Sequence, residues 1–289
     1  MQNHMPTSTE KSPQEPLPES PFFFHNNQYR LFGVLHRPAA PVVRGQGFVF
    51  CYPCFEEKLW THRVFVSLAR ELAAQGYHVL RFDYMGHGDS DGDFEQSTIR
   101  SRLSDVACAV STLRQEIGSD TGVGLLGMRF GATLAAVHAE SDPKIARLIM
   151  WDPIVEGAPY MQEVLLSNLA TQSAVYQQIR FTREDLVAQM RAGNTVNIEG
   201  YELTHVLYDE ASHVHLDASR KYTGPCLIVQ IGRSNQKPKK NLEALRSAYP
   251  RADLAMSVEE PFWKEIKIFY PRADNLFGVT FNWLQAHAS

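Results

Sequence analysis

Gly122-Val-Gly-Leu-Leu-Gly-Met128, then Arg129, then Phe130-Gly-Ala-Thr-Leu-Ala-Ala136 is the stretch on which the fold turns. The first seven residues are an uninterrupted apolar run, the pattern of a strand buried on both faces. Gly131, Ala132, Ala135 and Ala136 follow at helical spacing, small enough to let a helix lie close on a sheet. Gly127 and Gly131 bracket the junction, so the chain turns sharply from strand to helix there. The middle residue of that turn is Arg129.

Outward from this junction the same alternation repeats. Upstream, Gly47–Tyr52 and His78–Asp83 read as buried strands. A helix between them starts from a Thr61 cap, carries Val64, Phe65, Leu68 and Leu72 on one face, and stops at Gly76. After the glycine-rich turn Gly86–Gly92, Leu103, Val106, Val110 and Leu113 mark a second helix by their 3-4-3 spacing. Phe22–Pro38, broken at Asn26-Asn27, reads as a β-hairpin. Downstream, Arg147–Trp151, Pro225–Ile231 and Leu254–Val258 are strands; Pro238–Ala248 and Asp274–Ala286 are helices. Residues 156–222 read as helix and loop with no buried strand. This alternation implies an α/β fold, a mostly parallel sheet flanked by helices. The expected organisation is a core of 22–155 and 223–289, a helical cap of 156–222, and a disordered tail of 1–21. That tail holds five of the 16 prolines.

Composition narrows the classes. The 289 residues are 44% hydrophobic and 21% charged, the balance of a globular chain. The net charge of −4 leaves no basic surplus for phosphate backbones, so nucleic acid is not an expected partner. No apolar run of 18 residues exists to span a membrane, and the tail has no apolar core of a signal peptide. A cytoplasmic protein is expected. Cys51, Cys54, Cys108 and Cys226 suit reduced thiols there. Cys51 and Cys54 form a CxxC pair, but a loop of several residues is expected before the next helix, which argues against redox use. No second ligand pair stands at zinc spacing, so no metal and no other cofactor is expected.

A strand, G-x-S-x-G and a helix make a nucleophile elbow, with the serine held at the carboxyl edge of the sheet. Gly127-Met128-Arg129-Phe130-Gly131 has the same context with arginine at its centre. On this elbow, on Asp83-Tyr-Met-Gly-His-Gly-Asp-Ser90 and on the insertion after Trp151, the chain from Phe22 onward resembles the α/β-hydrolase superfamily. Within it the chain is most similar to the serine-aminopeptidase-like branch. Tyr52-Pro-Cys-Phe-Glu-Glu-Lys58 and the elbow also resemble segments of exosortase-A-associated hydrolases. The resemblance implies a Ser-His-acid mechanism, yet its three positions hold other residues. Arg129 stands for the nucleophile. Asn235 or Ser234 stands for the acid, and Trp263 lies where the histidine belongs. A guanidinium stays protonated and cannot attack a carbonyl. Asp152 is the alternative acid location that the resemblance allows.

Arg129 therefore has two readings: a clamp for a carboxylate or phosphate, or an ion pair with Glu56, Glu57 or Asp152. The second follows because a cation at a helix N-terminus needs compensation. Phe55, Glu56, Glu57, Met128, Arg129, Asp152 and Trp263 are the candidate pocket residues, with Phe262 as part of an aromatic lid. Cys54 is a displaced nucleophile or an inert thiol. His87 is structural or catalytic. His205, His213 and His215 are surface groups or a partial metal set. Ser90 and Asp91 form the turn. The expected function is binding of a small anionic or acyl molecule, or of a partner protein, without catalysis. The alternative is hydrolysis of an ester, thioester or amide with atypical residues. The oligomeric state stays open.

Overall fold

The computed structural model describes residues 18–38, 44–118, 121–178, 180–216, 220–234, 237–264 and 270–287. Its first elements are an antiparallel hairpin, β1 (Glu19–Asn26) and β2 (Tyr29–His36). Asn27 turns it with φ 54°, a conformation asparagine tolerates. Because β1 starts at Glu19, residues 19–21 belong to the sheet and not to a tail. The remainder of the expected tail, 1–17, lies outside the described residues.

Next come β3 (Gln46–Cys51), α1 (Glu56–Ala74), β4 (His78–Phe82), α2 (Ile99–Ile117), β5 (Gly122–Met128), α3 (Phe130–Ser141) and β6 (Ile145–Trp151). After the inserted segment the sheet resumes with β9 (Cys226–Gly232), α7 (Lys240–Ala248), β10 (Ala252–Val258) and α8 (Asp274–Ala286). The eight strands run in the order β1-β2-β4-β3-β5-β6-β9-β10. Only the β1–β2 and β2–β4 pairs are antiparallel. The step back from β4 to β3 before β5 reverses the winding direction. A crevice opens at such a switch point, at the carboxyl ends of the strands. Phe55 follows β3 and Arg129 follows β5 at that edge.

The strands carry the core. Val49, Leu125, Leu148 and Ile228 are fully buried across four adjacent strands. Each such side chain contributes roughly 1.5–3 kcal/mol of hydrophobic stabilisation. The buried face of α2 holds Val106, Val110 and Leu113, but also Arg102 and Asp105. Spacing rules do not anticipate those two charges.

Three local expectations need correction. First, α1 begins at Glu56 and not at Thr61. Thr61 is buried inside the helix, where its hydroxyl donates to the Glu57 carbonyl at 2.7 Å. Second, the loop after Cys54 is therefore a single residue, Phe55, so the CxxC pair does abut a helix. Third, the insertion contains strands. Between β6 and β9 lie α4 (Gly157–Tyr176), α5 (Arg183–Arg191), the hairpin β7 (Val196–Ile198) and β8 (Tyr201–Leu203), and α6 (His205–Ser212). The hairpin turn is Glu199-Gly200, both at positive φ (52° and 96°), which matches strand twist in a two-residue loop. Three-residue strands are too short for period-two alternation to show.

Candidate functional site

The turn between β5 and α3 is strained. Arg129 sits at φ 52°, ψ −127°, a region costly for a side chain with a Cβ. Its amide donates to the Trp151 carbonyl at 2.9 Å, which ties the turn to the end of β6. Gly131 lets α3 approach: a Cβ there would lie 2.2 Å from the Tyr52 carbonyl oxygen. The elbow is thus an observed conformation, with an arginine at its apex.

The guanidinium is 8% exposed and surrounded by carboxylates. Nε donates to Glu57 Oε1 at 3.0 Å, and Nη1 donates to Asp152 Oδ2 at 3.3 Å. Nη2 lies 3.6 Å from Glu163 Oε2, on α4. Asp152 also accepts from Lys239 Nζ at 3.1 Å, and Tyr160 OH donates to Glu57 Oε2 at 3.3 Å. The rings of Trp263 and Tyr160 stand 5.3 and 5.7 Å from the Arg129 guanidinium carbon, within cation–π range. Burial opposes the charge on Arg129, but Glu57 and Asp152 outweigh it and its pKa rises further. Burial also pushes the Glu57 carboxyl up, against the pull of Arg129. The cluster holds two cations against three carboxylates, so its cations are already neutralised from within.

A cleft of about 780 Å³ opens beside this cluster, between the α1 start and the insertion. Phe55, Glu56, Glu57, Trp60 and Trp263 line it from the core; Tyr160, Glu163, Val164, Leu166, Ser167, Ile198 and Glu199 line it from the insertion. Lys264 is the one cation among these described lining residues. None of them is a histidine or a cysteine.

The sequence candidates divide on this geometry. Phe55, Glu56, Glu57, Arg129, Asp152 and Trp263 converge on the cluster or its cleft. Glu57 and Asp152 pair with Arg129; Glu56 forms no ion pair among the described residues. Met128 does not reach the cleft, because as the last residue of β5 it points into the core and is fully buried. Phe262 is likewise buried, stacked on Tyr270, so of the expected lid aromatics Phe262 and Trp263 it is Trp263 that stands over the arginine. Asn235 lies outside the described residues. An anion clamp is the reading the geometry opposes, since three carboxylates already occupy the guanidinium. Lys239, Tyr160 and Glu163 escaped the sequence reading. Tyr160 and Glu163 are one turn apart on α4 and share a face, a usable signal. Nothing local marks Lys239.

The remaining thiols and imidazoles form no hydrogen bond or ion pair with the cluster among the described residues. Burial pushes the Cys51 thiol up to about 12 and raises the Cys54 thiol too, although Arg102 Nη1 lies 3.6 Å from Cys54 Sγ. Abutting a helix therefore does not activate this CxxC pair. His87 meets Arg102 Nη2 at 2.9 Å, and burial drives its pKa well down, so it is a neutral structural group. His213 contacts the Asp209 carbonyl at the end of α6, and His215 forms a β-bridge with Glu156. No cluster of metal-ligating groups exists among the described residues. Ser90 and Asp91 bind the hairpin: Ser90 Oγ accepts from the Phe32 amide, and Asp91 pairs with Arg30.

A family model described as serine aminopeptidase, S33, matches residues 59–223, more than half of the chain. The chain belongs to the serine aminopeptidase (S33) family. Its fold is the α/β-hydrolase fold, shared with many solved structures. The protein Est1E of Butyrivibrio proteoclasticus, solved with ferulic acid bound, aligns at TM-score 0.66 and 17% identity, over 92% of this chain and 98% of that one. An esterase of Pyrococcus furiosus aligns at 0.62 and 15%, over 93% and 91%. The α/β hydrolase GrgF of Penicillium sp. sh18 aligns at 0.62 and 17%, over 94% and 99%. At these identities the likeness is one of fold. No curated protein matches the chain significantly. Among the described residues, no helix of this S33-family chain is long and apolar enough to cross a membrane.

Proposed function

We propose that this S33-family chain is a cytoplasmic binding protein without serine-hydrolase chemistry, taking a small molecule in the cleft between core and cap. The supporting observation is Arg129 at the elbow apex, locked by Glu57 and Asp152. The turn that would hold a nucleophile holds a cation that cannot give up its proton. No histidine is among the described residues around the cleft, the Glu57 carboxylate is held by Arg129 and Tyr160, and Ser167, the one aliphatic hydroxyl there, is bonded to the Val164 carbonyl in its own helix. Cys54 is buried and its thiol pKa is raised, which disfavours a displaced thiol nucleophile.

The cleft walls set the ligand class. Phe55, Trp60, Tyr160 and Trp263 supply aromatic surface, and Glu56 and Glu163 stand among them. Aromatic faces and carboxylates together attract cations. The ligand has an apolar body and a neutral or cationic head; of the anionic or acyl molecules expected from the sequence, these carboxylates disfavour the anionic. Two assays test this. p-Nitrophenyl esters and thioesters should turn over no faster than background, and a fluorophosphonate should not label the protein. Turnover abolished by Asp152→Asn or Cys54→Ala would overturn the reading in favour of an atypical hydrolase. Tryptophan fluorescence should respond to hexyltrimethylammonium at lower concentration than to hexanoate.

A further inference from the structure

A second buried arginine lacks what Arg129 has. Arg81, on β4, is 8% exposed. Its Nε donates to His36 Nε2 and its Nη1 to the Tyr52 hydroxyl, both at 2.9 Å. Both partners are neutral. His36 cannot share the charge, because burial and then Arg81 hold its pKa down to about 4. No carboxylate of the described residues lies within ion-pair reach of Arg81. Glu19 is reached only through His36, whose Nδ1 is 3.8 Å from it, and Glu19 is already bound by Arg70. Asp83 is bound by Lys58 at 2.7 Å. Nη2 has no hydrogen-bond partner among the described residues and is not sealed from solvent. A desolvated guanidinium with only neutral partners is unfavourable unless an anion or water completes it.

Arg81 lines an open cleft of about 540 Å³ with Lys58, His62 and Tyr52, and with two carboxylates, Asp83, which Lys58 neutralises, and Asp89. This cleft is separate from the one beside Arg129. The first turns of α1 divide them: Glu56, Glu57 and Trp60 face the acidic cleft, while Lys58, Leu59 and His62 face this one. At 100° per residue those two sets fall on opposite sides of the helix. His62 lies parallel to the Tyr52 ring, 6.2 Å between centroids, which fixes it at the mouth.

We propose that the cleft at Arg81 is a binding site for an oxyanion, the phosphoryl or carboxylate group of a small molecule. Arg81 supplies the buried charge and Nη2 as donor. Lys58, although paired with Asp83, and His62 line the same cleft. The site rests on none of the residues assigned to the ligand cleft, so either assignment can fail without the other.

The test uses the full chain, with inorganic phosphate and acetate titrated separately by calorimetry at fixed ionic strength in a chloride background. Saturable binding of phosphate marks a phosphoryl site, and of acetate alone a carboxylate site. Arg81→Gln should weaken the bound anion at least tenfold. Because that variant can lose its fold, Leu59→Glu is the second: Leu59 is 64% exposed at the cleft, so a carboxylate there should also weaken binding about tenfold. Leu59→Gln should leave it unchanged. Saturable binding of neither anion overturns the proposal. Binding that Leu59→Glu, or a folded Arg81→Gln, leaves intact overturns it equally, as an adventitious ion only.

Discussion

Arg129 and Asp152 terminate adjacent parallel strands, both with left-handed backbone (φ 52° and 41°), and their side chains meet at 3.3 Å. Two strained turns are thus stapled by one buried ion pair. Asp152 donates its amide to the Val229 carbonyl at 2.7 Å, and Lys239 closes the far side of its carboxylate. The cluster joins the ends of β5 and β6 and the start of α7 to α1 and α4.

Removing the arginine leaves buried Glu57 with only the Tyr160 hydroxyl and buried Asp152 with Lys239 as its remaining side-chain partner. Arg129→Ala should lower stability by about 3–5 kcal/mol, the cost of breaking one side of a buried pair. Adding Glu57→Gln and Asp152→Asn should recover part of that loss. Urea unfolding of the single and triple variants checks it, and a single variant as stable as the parent would show that water solvates the cluster.

Arg129→Ser restores a hydroxyl at the elbow but supplies no histidine to act as its base. Hydrolysis of p-nitrophenyl acetate should stay at background in that variant. Turnover that rises with pH through the imidazole range would mean that a histidine does reach the site.

His36 makes stability depend on pH. Its folded pKa, about 4, is below the ordinary 6.5, so between these values the unfolded chain binds more protons. Its contribution is whole above pH 6.5 and is lost as pH falls toward 4. The size is about 3 kcal/mol. Arg81 from β4, Glu19 from β1 and Arg70 from α1 are the charges acting on it. His36→Gln keeps an acceptor for Arg81 and removes the titration. Its unfolding free energy should fall less steeply than the parent's over that window; parallel curves would contradict the assignment.

Two glycines should respond in opposite directions. Gly131→Ala drives a methyl into the Tyr52 and Cys51 carbonyl oxygens at 2.2 and 2.3 Å, backbone that cannot give way. A loss at or beyond the usual 1–3 kcal/mol for over-packing is expected. Gly278, within α8, has open space around it. Gly278→Ala should raise stability by roughly 0.5–1 kcal/mol through helix propensity. Midpoints of urea unfolding report both.

Thiol labelling should be sparse in the folded protein. Cys51, Cys54 and Cys226 are buried with thiol pKa values raised by that burial. Cys108 is only partly buried. At pH 8, iodoacetamide should modify Cys108 and spare the others until urea is added. Rapid native labelling of Cys54 would contradict the inert reading.

The sequence by itself determined the sheet, its flanking helices and the identity of the residue at the elbow. Continuous apolar runs and 3-4 spacing are local patterns, and Gly127 and Gly131 mark the turn without any knowledge of neighbours. It also showed that an arginine there needs a carboxylate. Only the tertiary structure decided which ones. Glu57 comes from a segment far from Asp152 and Glu163 in the chain, and Glu56, one residue from Glu57, lines the same cleft without pairing with the guanidinium. Lys239 joins the cluster across the sheet edge with no sequence mark. The contrast between Arg129, ringed by carboxylates, and Arg81, buried beside two neutral groups, is likewise a matter of long-range packing. Charge compensation depends on distances of a few ångströms between distant segments, and those distances exist only once the chain has folded.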